Sequence, residues 1–344
     1  MLDVWRRFSF TKHWARQVSG IYPEPKVEVE LPEELRADLL PSLEPEAQRL
    51  EKRRQETVEQ IDGRARLMVP LGLSPVLLVF VPGMGLGIPV ILALAGGLIG
   101  WGVAARAPAS EWQKQMREGF GQVLAERLSG FAHVSMPPPD VERLNALRLF
   151  GKIIKVDVSD RLTGHRDGRD LALSCMAIKY SAVENPRTRR DGRDYPILYT
   201  DMVEVETAAK DAPLIVGVGK TPYDVLRNTP AKVHGLTPFE THDPGFDAKF
   251  YLFSSDPEAA KRFLTEKLRT ALIAVSERHG LEPPHLVIMP DYLAVLFPRL
   301  TLKTAFQGRP YWVPVDAEKT LMQFASDLAG RNAMINDVRA LPVT

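Results

Sequence analysis

The chain has 344 residues, a formal net charge of +1, 45% hydrophobic residues and one cysteine. That length accommodates one or two ordinary domains, and a charge this close to zero excludes the broadly basic surface of a nucleic-acid-binding protein. A lone Cys175 forms no internal disulfide, so no disulfide framework holds the fold and the bulk of the chain suits a reducing compartment.

The first 66 residues read as an N-terminal arm, a linker and a helix. Met1 to Val18 interleaves Trp5, Phe8, Phe10 and Trp14 with Arg6, Arg7, Lys12 and Arg16. Aromatics among cations suit contact with anionic lipid headgroups or with a partner; the alternative is an arm that packs on the folded domain. No apolar core followed by a small-residue cleavage site is present, so no cleavable signal peptide is expected. Residues Gly20 to Pro45 hold Pro23, Pro25, Pro32, Pro41 and Pro45 among many acids, the pattern of an extended spacer with at most a short helix from Glu33 to Leu40. From Glu46 to Arg66 the pattern turns helical and is expected to bend or break near Gly63.

Leu67 to Ala105 contains no charged residue. As one helix it would be about 58 Å long, against a hydrocarbon core about 30 Å thick. Pro82-Gly83 is a turn signal that divides the run into two spans, 67–81 and 84–105, within a membrane hairpin over 67–106. Arg64, Arg66 and Arg106 flank the run and the turn carries no cation, which places both chain termini in the cytoplasm. The first span carries Pro70 and Pro75, so its freed carbonyls need a neighbouring helix or water. The second span offers that neighbour: Ala93 with Gly97 and Gly96 with Gly100 have the spacing that lets backbones approach, and the Gly-rich spans also allow oligomers. A pore or substrate path would ordinarily show an ionisable residue inside the run.

After the run, Pro108 and Ser110 precede an amphipathic stem helix through Trp112, Met116, Phe120, Leu124 and Leu128 within residues 107–130, capped by Ser110 and closed by Gly130. The fold class expected overall is α+β: a two-helix transmembrane hairpin, flanking amphipathic helices, and a C-terminal cytoplasmic domain with antiparallel strands over residues 131–335. That domain begins with a helix from Asp140 to Phe150. Alternating runs at Lys152 to Val158, Asp170 to Tyr180 and Tyr195 to Glu206 predict strands, and Ala212 to Val216 a short one. Phe246 to Phe253 predicts another strand, followed by a helix capped by Asp256 and running to about His279. Two strands then flank the Pro290-Asp291 turn, at Leu286 to Met289 and Tyr292 to Phe297. A last helix is expected over Ala317 to Asn332, with a weakly ordered tail over 336–344.

Chemistry is sparsely signalled. Gly219-Lys220-Thr221 has the ending of a phosphate loop, but the first glycine that motif needs falls at Leu214, and Pro222 follows directly. His234, His242 and Asp243 lie in one segment with Glu240, yet sequence spacing alone does not make ligands converge, so no metal and no cofactor is expected. Ser174 and Cys175 sit on a strand without the signature of a nucleophile and read as packing residues. The densest cationic patch is Arg187, Arg189, Arg190 and Arg193, either a lipid or partner contact or a solvated hairpin tip diluted by Asp191 and Asp194.

The order of these segments, with GFDAKFYLFSSDPEAAKRFLTEKLRTAL followed by LVIMPDYLAVLF, resembles the bacterial domain of unknown function 3137 family. The likeness covers residues 46 to 335 and rests on a phenylalanine-rich strand (Phe246, Phe250, Phe253) ending in Ser255-Asp256 and leading into a long helix. It implies a protein of the bacterial inner membrane, and it carries no functional residues with it. The expected function is a membrane-anchored binding or scaffold module, meeting a protein partner or lipid at the cytoplasmic face. The rivals are a membrane-bound hydrolase using Glu240, His242 and Asp243, and an accessory subunit of a transporter or channel.

Overall fold

The computed structural model describes residues 31–74, 87–181, 196–220, 226–279, 282–299 and 310–343. Eight helices occur among them: α1 (Glu33–Leu73), α2 (Gly87–Ser129), α3 (Val141–Ala146), α4 (Thr229–His234), α5 (Pro244–Asp247), α6 (Pro257–Phe263), α7 (Glu266–His279) and α8 (Ala317–Arg339). The strands are β1 (Ala132–Ser135), β2 (Ile153–Arg166), β3 (Arg169–Tyr180), β4 (Ile197–Glu206), β5 (Ile215–Gly219), β6 (Thr237–Phe239), β7 (Phe250–Ser254), β8 (His285–Met289) and β9 (Tyr292–Arg299). The chain divides into two compact units, Met1–Leu124 with Phe306–Ser326 and Ala125–Ala305 with Asp327–Thr344.

In the first unit, α1 corrects the expectation of a spacer reaching Pro45: the helix starts at Glu33 and passes through Pro41, Pro45 and Pro70. A proline inside a helix costs about 3 kcal/mol, because it removes a donor and crowds the preceding turn. Against that cost, Leu39, Leu43, Ala47, Leu50, Val58 and Ile61 recur at helical spacing and are all buried. Each buried Leu or Ile contributes about 1.5–3 kcal/mol, so packing outweighs local propensity. No break occurs at Gly63 either.

Helix α2 likewise runs unbroken through Pro108, so the expected second span and the stem are one helix, without a separate cap at Ser110. Its lower half buries Trp112, Met116, Phe120 and Leu124 at four-residue steps, and Phe120 meets Phe324 of α8 with ring centroids 6.0 Å apart. The segment before α8 is tied to α1: Arg54 pairs with Glu51 at 2.6 Å and donates to the Tyr311 carbonyl, while Glu51 accepts from Val315 N. Burial alone would raise the Glu51 pKa, but those hydrogen bonds hold it below the usual carboxylate range.

Helices α1 and α2 run antiparallel at backbone contact. A Cβ added at Gly100 would fall 2.4 Å from the Met68 carbonyl oxygen, and one at Gly97 would lie 3.0 Å from Leu73 Cδ2. Further along, one at Gly119 would meet Glu46 and Leu50. Gly97 and Gly100, two of the residues expected to admit a neighbouring helix, therefore face α1. The segment Ile88–Ser129 is, among the described residues, the one helix long and apolar enough to cross a membrane. Its outer face exposes Ile88, Ile91, Leu92, Leu98, Ile99 and Val103, beside Leu67, Met68 and Leu71 of α1.

The second unit is built on a nine-stranded sheet of order β1-β2-β3-β4-β9-β8-β5-β7-β6, antiparallel throughout. The strands expected from Lys152, Asp170 and Tyr195 are present, and β2 runs on to Arg166, past the expected end at Val158, across register shifts between Ile153 and Lys155 and between Val158 and Asp160. The strand expected over Phe246 to Phe253 begins only at Phe250, because Phe246 lies in α5, and that expected over Ala212 to Val216 begins only at Ile215. The helix expected from Asp140 to Phe150 shortens to α3, capped by the Asp140 carboxylate on Arg143 N. The helix expected from Asp256 to His279 is two: α6, capped by Asp256 on Ala259 N, and α7, separated at Leu264 and Thr265. The last helix extends to Arg339, seven residues past the expected end, with Ile335 and Val338 buried. One sheet face holds a core of Val156, Met176, Ile178, Met202 and Leu296, over which Phe150 meets Tyr180 at 5.3 Å.

The helix contact predicts a contrast between two glycines of α2. Gly100→Ala forces the Met68 backbone away and lowers stability by about 1–3 kcal/mol. Gly102→Ala, whose Cβ meets nothing within 4 Å, leaves stability unchanged or raises it by up to about 1 kcal/mol. Thermal unfolding of the full chain in detergent reads both, and equal shifts would contradict the contact.

Candidate functional site

Strand β4 carries two buried acids three residues apart, Asp201 and Glu204, which pleating sends to opposite faces of the sheet. On the face of Met202, the apolar core gives way toward one end of the strands to a groove of about 580 Å³. Arg161 and Thr163 of β2, Ala172 of β3, Glu204 and Glu206 of β4, and Tyr292 of β9 line it. Register explains the grouping: Ala172 pairs with both Thr163 and Glu204, and Tyr292 with Glu206.

Glu204 is the centre of the groove. Its side chain is 3% exposed, and its Oε1 lies 2.5 Å from Arg143 Nε and accepts from the Tyr292 hydroxyl at 2.7 Å. Arg161 stands 3.6 Å from Oε2, and its Nε is buried without a hydrogen-bond partner among the described residues. The Arg143 guanidinium also lies over the Tyr292 ring, 4.9 Å from the centroid. Burial works against the charge of Arg143, but the Tyr292 hydroxyl and Glu204 outweigh it and hold its pKa above the ordinary value. Burial, and then Glu204, push the Tyr292 phenol well up, so it stays a proton donor at neutral pH. At the rim His165 and Asp170 form an exposed pair at 2.9 Å. Fixed charges with a permanently protonated phenol suit recognition of a polar ligand better than proton transfer near pH 7.

The opposite face carries a closed ionic network. Asp201 Oδ2 lies 2.8 Å from Arg299 Nε and 3.1 Å from Arg331 Nη1 of α8. Beside it the buried pair His133 and Asp160 meets at 2.8 Å. Cys175 lies on this face too, paired in register with Asp160 and Asp201, and burial followed by Asp201 raises its thiol pKa well above normal. A buried thiol held protonated is inert, in keeping with a packing role.

The residues singled out from sequence fare differently. Arg6, Arg7, Lys12 and Arg16, and Arg187, Arg189, Arg190 and Arg193, lie outside the described residues. Asp243 is committed to structure: its Oδ1 caps α5 through Gly245 N and Phe246 N, and its Oδ2 receives Arg269 Nε at 3.0 Å. His242 holds a left-handed φ of 63° in the turn before it, and His234 Nε2 lies 2.7 Å from the Phe150 carbonyl. Among the described residues no group of His, Cys, Asp and Glu could hold a metal ion. Lys220, the lysine of the apparent phosphate loop, donates to the Asp247 carbonyl at 2.6 Å and sits over the Tyr251 ring, while Gly219 N donates to His285 Nδ1 at 3.1 Å.

Sequence reasoning missed Glu204, Arg143, Arg161 and Tyr292. A partial signal existed on β4, where Asp201 shares the parity of the apolar Val203 and Val205 and so marks a charge driven inward. No family model, no curated protein and no solved structure matches this chain.

Two outcomes follow from these networks. Asp201→Ala takes from two nearly buried arginines the carboxylate they share and costs about 3–5 kcal/mol, whereas Asp157→Ala, half exposed and paired with Lys155, costs under about 1 kcal/mol. Denaturant midpoints of the two variants separate these cases. His285 is buried, and burial lowers its pKa to about 4 from an ordinary 6.5. Between those values the unfolded chain binds a proton that the folded chain refuses. Stability from this group is thus complete above pH 6.5 and falls by roughly 3 kcal/mol as pH drops to 4. His285→Asn, which keeps an acceptor for Gly219 N, should flatten that part of the pH profile; an unchanged slope would rule the histidine out.

Proposed function

We propose that this chain is a two-pass, membrane-anchored binding module of the bacterial inner membrane, with spans over 67–81 and 84–105 and both termini in the cytoplasm. The observation that carries the reading is the exposed apolar surface of α2 from Ile88 to Val103, flanked by Leu67, Met68 and Leu71 of α1. A contiguous surface of this kind is costly in water and ordinary in lipid. From Gly87 to Ala105, α2 would span about 28 Å, close to the hydrocarbon thickness. Helix contact at Gly97 and Gly100 is the packing that lipid favours.

In this reading the Glu204 groove of the sheet unit is the surface that meets a polar ligand or the side chains of a protein partner. The hydrolase alternative loses its stated support, since Asp243 is spent on a helix cap and an arginine. Transport draws no support from α2, whose apolar half holds no ionisable side chain between Gly87 and Ala105. Kinship with the domain of unknown function 3137 family remains part of the proposal and rests on the order of its motifs.

The test is alkaline carbonate extraction of cell membranes together with topology reporters. The chain should stay in the pellet, a fluorescent reporter should light at either terminus, and a tag inserted at Pro82-Gly83 should be labelled from outside. Recovery in the aqueous fraction, or a terminus found outside the cell, would falsify the two-pass anchor.

A further inference from the structure

Building on the membrane reading, we propose that Arg64, Arg66 and Arg106 form a cationic collar that binds the headgroups of anionic phospholipids where the apolar surface ends.

Three observations converge on it. The first is level. With Gly100 against Met68, six residues along α2 reach Arg106 and four or two back along α1 reach Arg64 or Arg66, so all three lie within about 6 Å along the helix axes. The second is direction. Arg106 follows Leu92, Ile99 and Val103 at steps of seven, four and three residues, and Arg64 precedes Leu67 and Leu71 at steps of three and four. Arg64 and Arg106 therefore each prolong a helix stripe that exposes apolar side chains, and Arg66 joins them by level and exposure. The third is availability. All three arginines are exposed, and none has an ion pair among the described residues, whereas Arg49, Arg53 and Arg54 on the same α1 each hold a glutamate.

A guanidinium at the edge of an apolar stripe lays its stem along the hydrocarbon and its planar fork among the headgroups, where phosphate oxygens match its paired N–H donors. Three such forks at one level favour lipids whose headgroup carries net negative charge over zwitterionic ones. The ligand is thus a phosphodiester within a lipid, and free phosphate, which lacks the acyl chains that seat beside Leu67 and Val103, is a poor substitute.

The test uses the full chain in vesicles of phosphatidylcholine and phosphatidylglycerol in equal amounts. After insertion is confirmed by flotation, the protein is extracted in mild detergent and retained lipid is quantified by mass spectrometry. Phosphatidylglycerol should exceed phosphatidylcholine several-fold. The excess should fall by up to about fivefold with each single change Arg64→Gln, Arg66→Gln or Arg106→Gln, and vanish in the triple variant. The triple lysine variant should keep part of it, and Lys52→Gln with Lys114→Gln all of it. Equal retention of the two lipids by the wild type, an excess that survives the triple glutamine variant, or displacement of the lipid by millimolar inorganic phosphate would overturn the collar. A wild-type chain that never floats with the vesicles would sink the membrane reading itself, which distinguishes the two failures.

Discussion

A carbonyl oxygen occupies the place where a side chain at position 100 would stand, and that contact between Met68 and Gly100 organises the first unit. Because the backbones touch there, α1 and α2 lie antiparallel in one register, with Glu46 and Leu50 brought to Gly119. The same register fixes which side chains are left facing outward. On the lower half, the stripe of α1 and Trp112, Met116 and Phe120 of α2 are buried; on the upper half, Gly97 and Gly100 fill the contact and the large apolar residues have nowhere to go but out. A helix pair assembled for water would reverse that arrangement, placing large residues at the seam and polar ones outside.

The second unit depends on a different constraint, the neutralisation of buried acids. Asp201 and Glu204 leave β4 on opposite faces, and each meets two arginines drawn from other elements: Arg299 and Arg331 for one, Arg143 and Arg161 for the other. The two outcomes differ in access. On the Asp201 side Arg331 of α8 closes the network, so removing the acid takes a shared carboxylate from charges with little access to water. On the Glu204 side the groove stays open, Arg143 is partly solvated, and Arg161 holds Glu204 only at 3.6 Å. The closed network fixes the fold, while the open one leaves guanidinium donors for an incoming group.

Much of the sheet was legible because alternation over seven or more residues has one reading, as in β3 and β4, and because the Pro290-Asp291 turn marks β8 and β9. One cap was legible for the same local reason: Asp256 accepts from a backbone N–H at a helix start, while the caps made by Asp140 and Asp243 emerged only with the fold. What misled was proline. Pro41, Pro45 and Pro108 mark breaks when weighed by local propensity, yet each lies inside a long helix whose buried stripe extends well beyond it. The groove was illegible for a further reason. Arg143 and Tyr292 are 149 positions apart and Glu204 is 88 from Tyr292, so only strand order brings them together. The apparent phosphate loop failed in sequence by its glycine spacing, and the fold gives that lysine and glycine other partners.

The two proposals reinforce each other through affinity. A groove whose central carboxylate is already neutralised by its own arginines gains only the difference between old and new partners when a ligand enters, so its intrinsic affinity is modest. The proposed anchoring would offset that weakness: confinement to one leaflet would raise the local concentration of the module against any partner on the same membrane, without a new contact. A collar that selects anionic lipid would concentrate the chain further, in patches where basic partners also gather. On this account the arginines at the lipid boundary and those around Glu204 do separate work, the first deciding where the module resides and the second what it holds there.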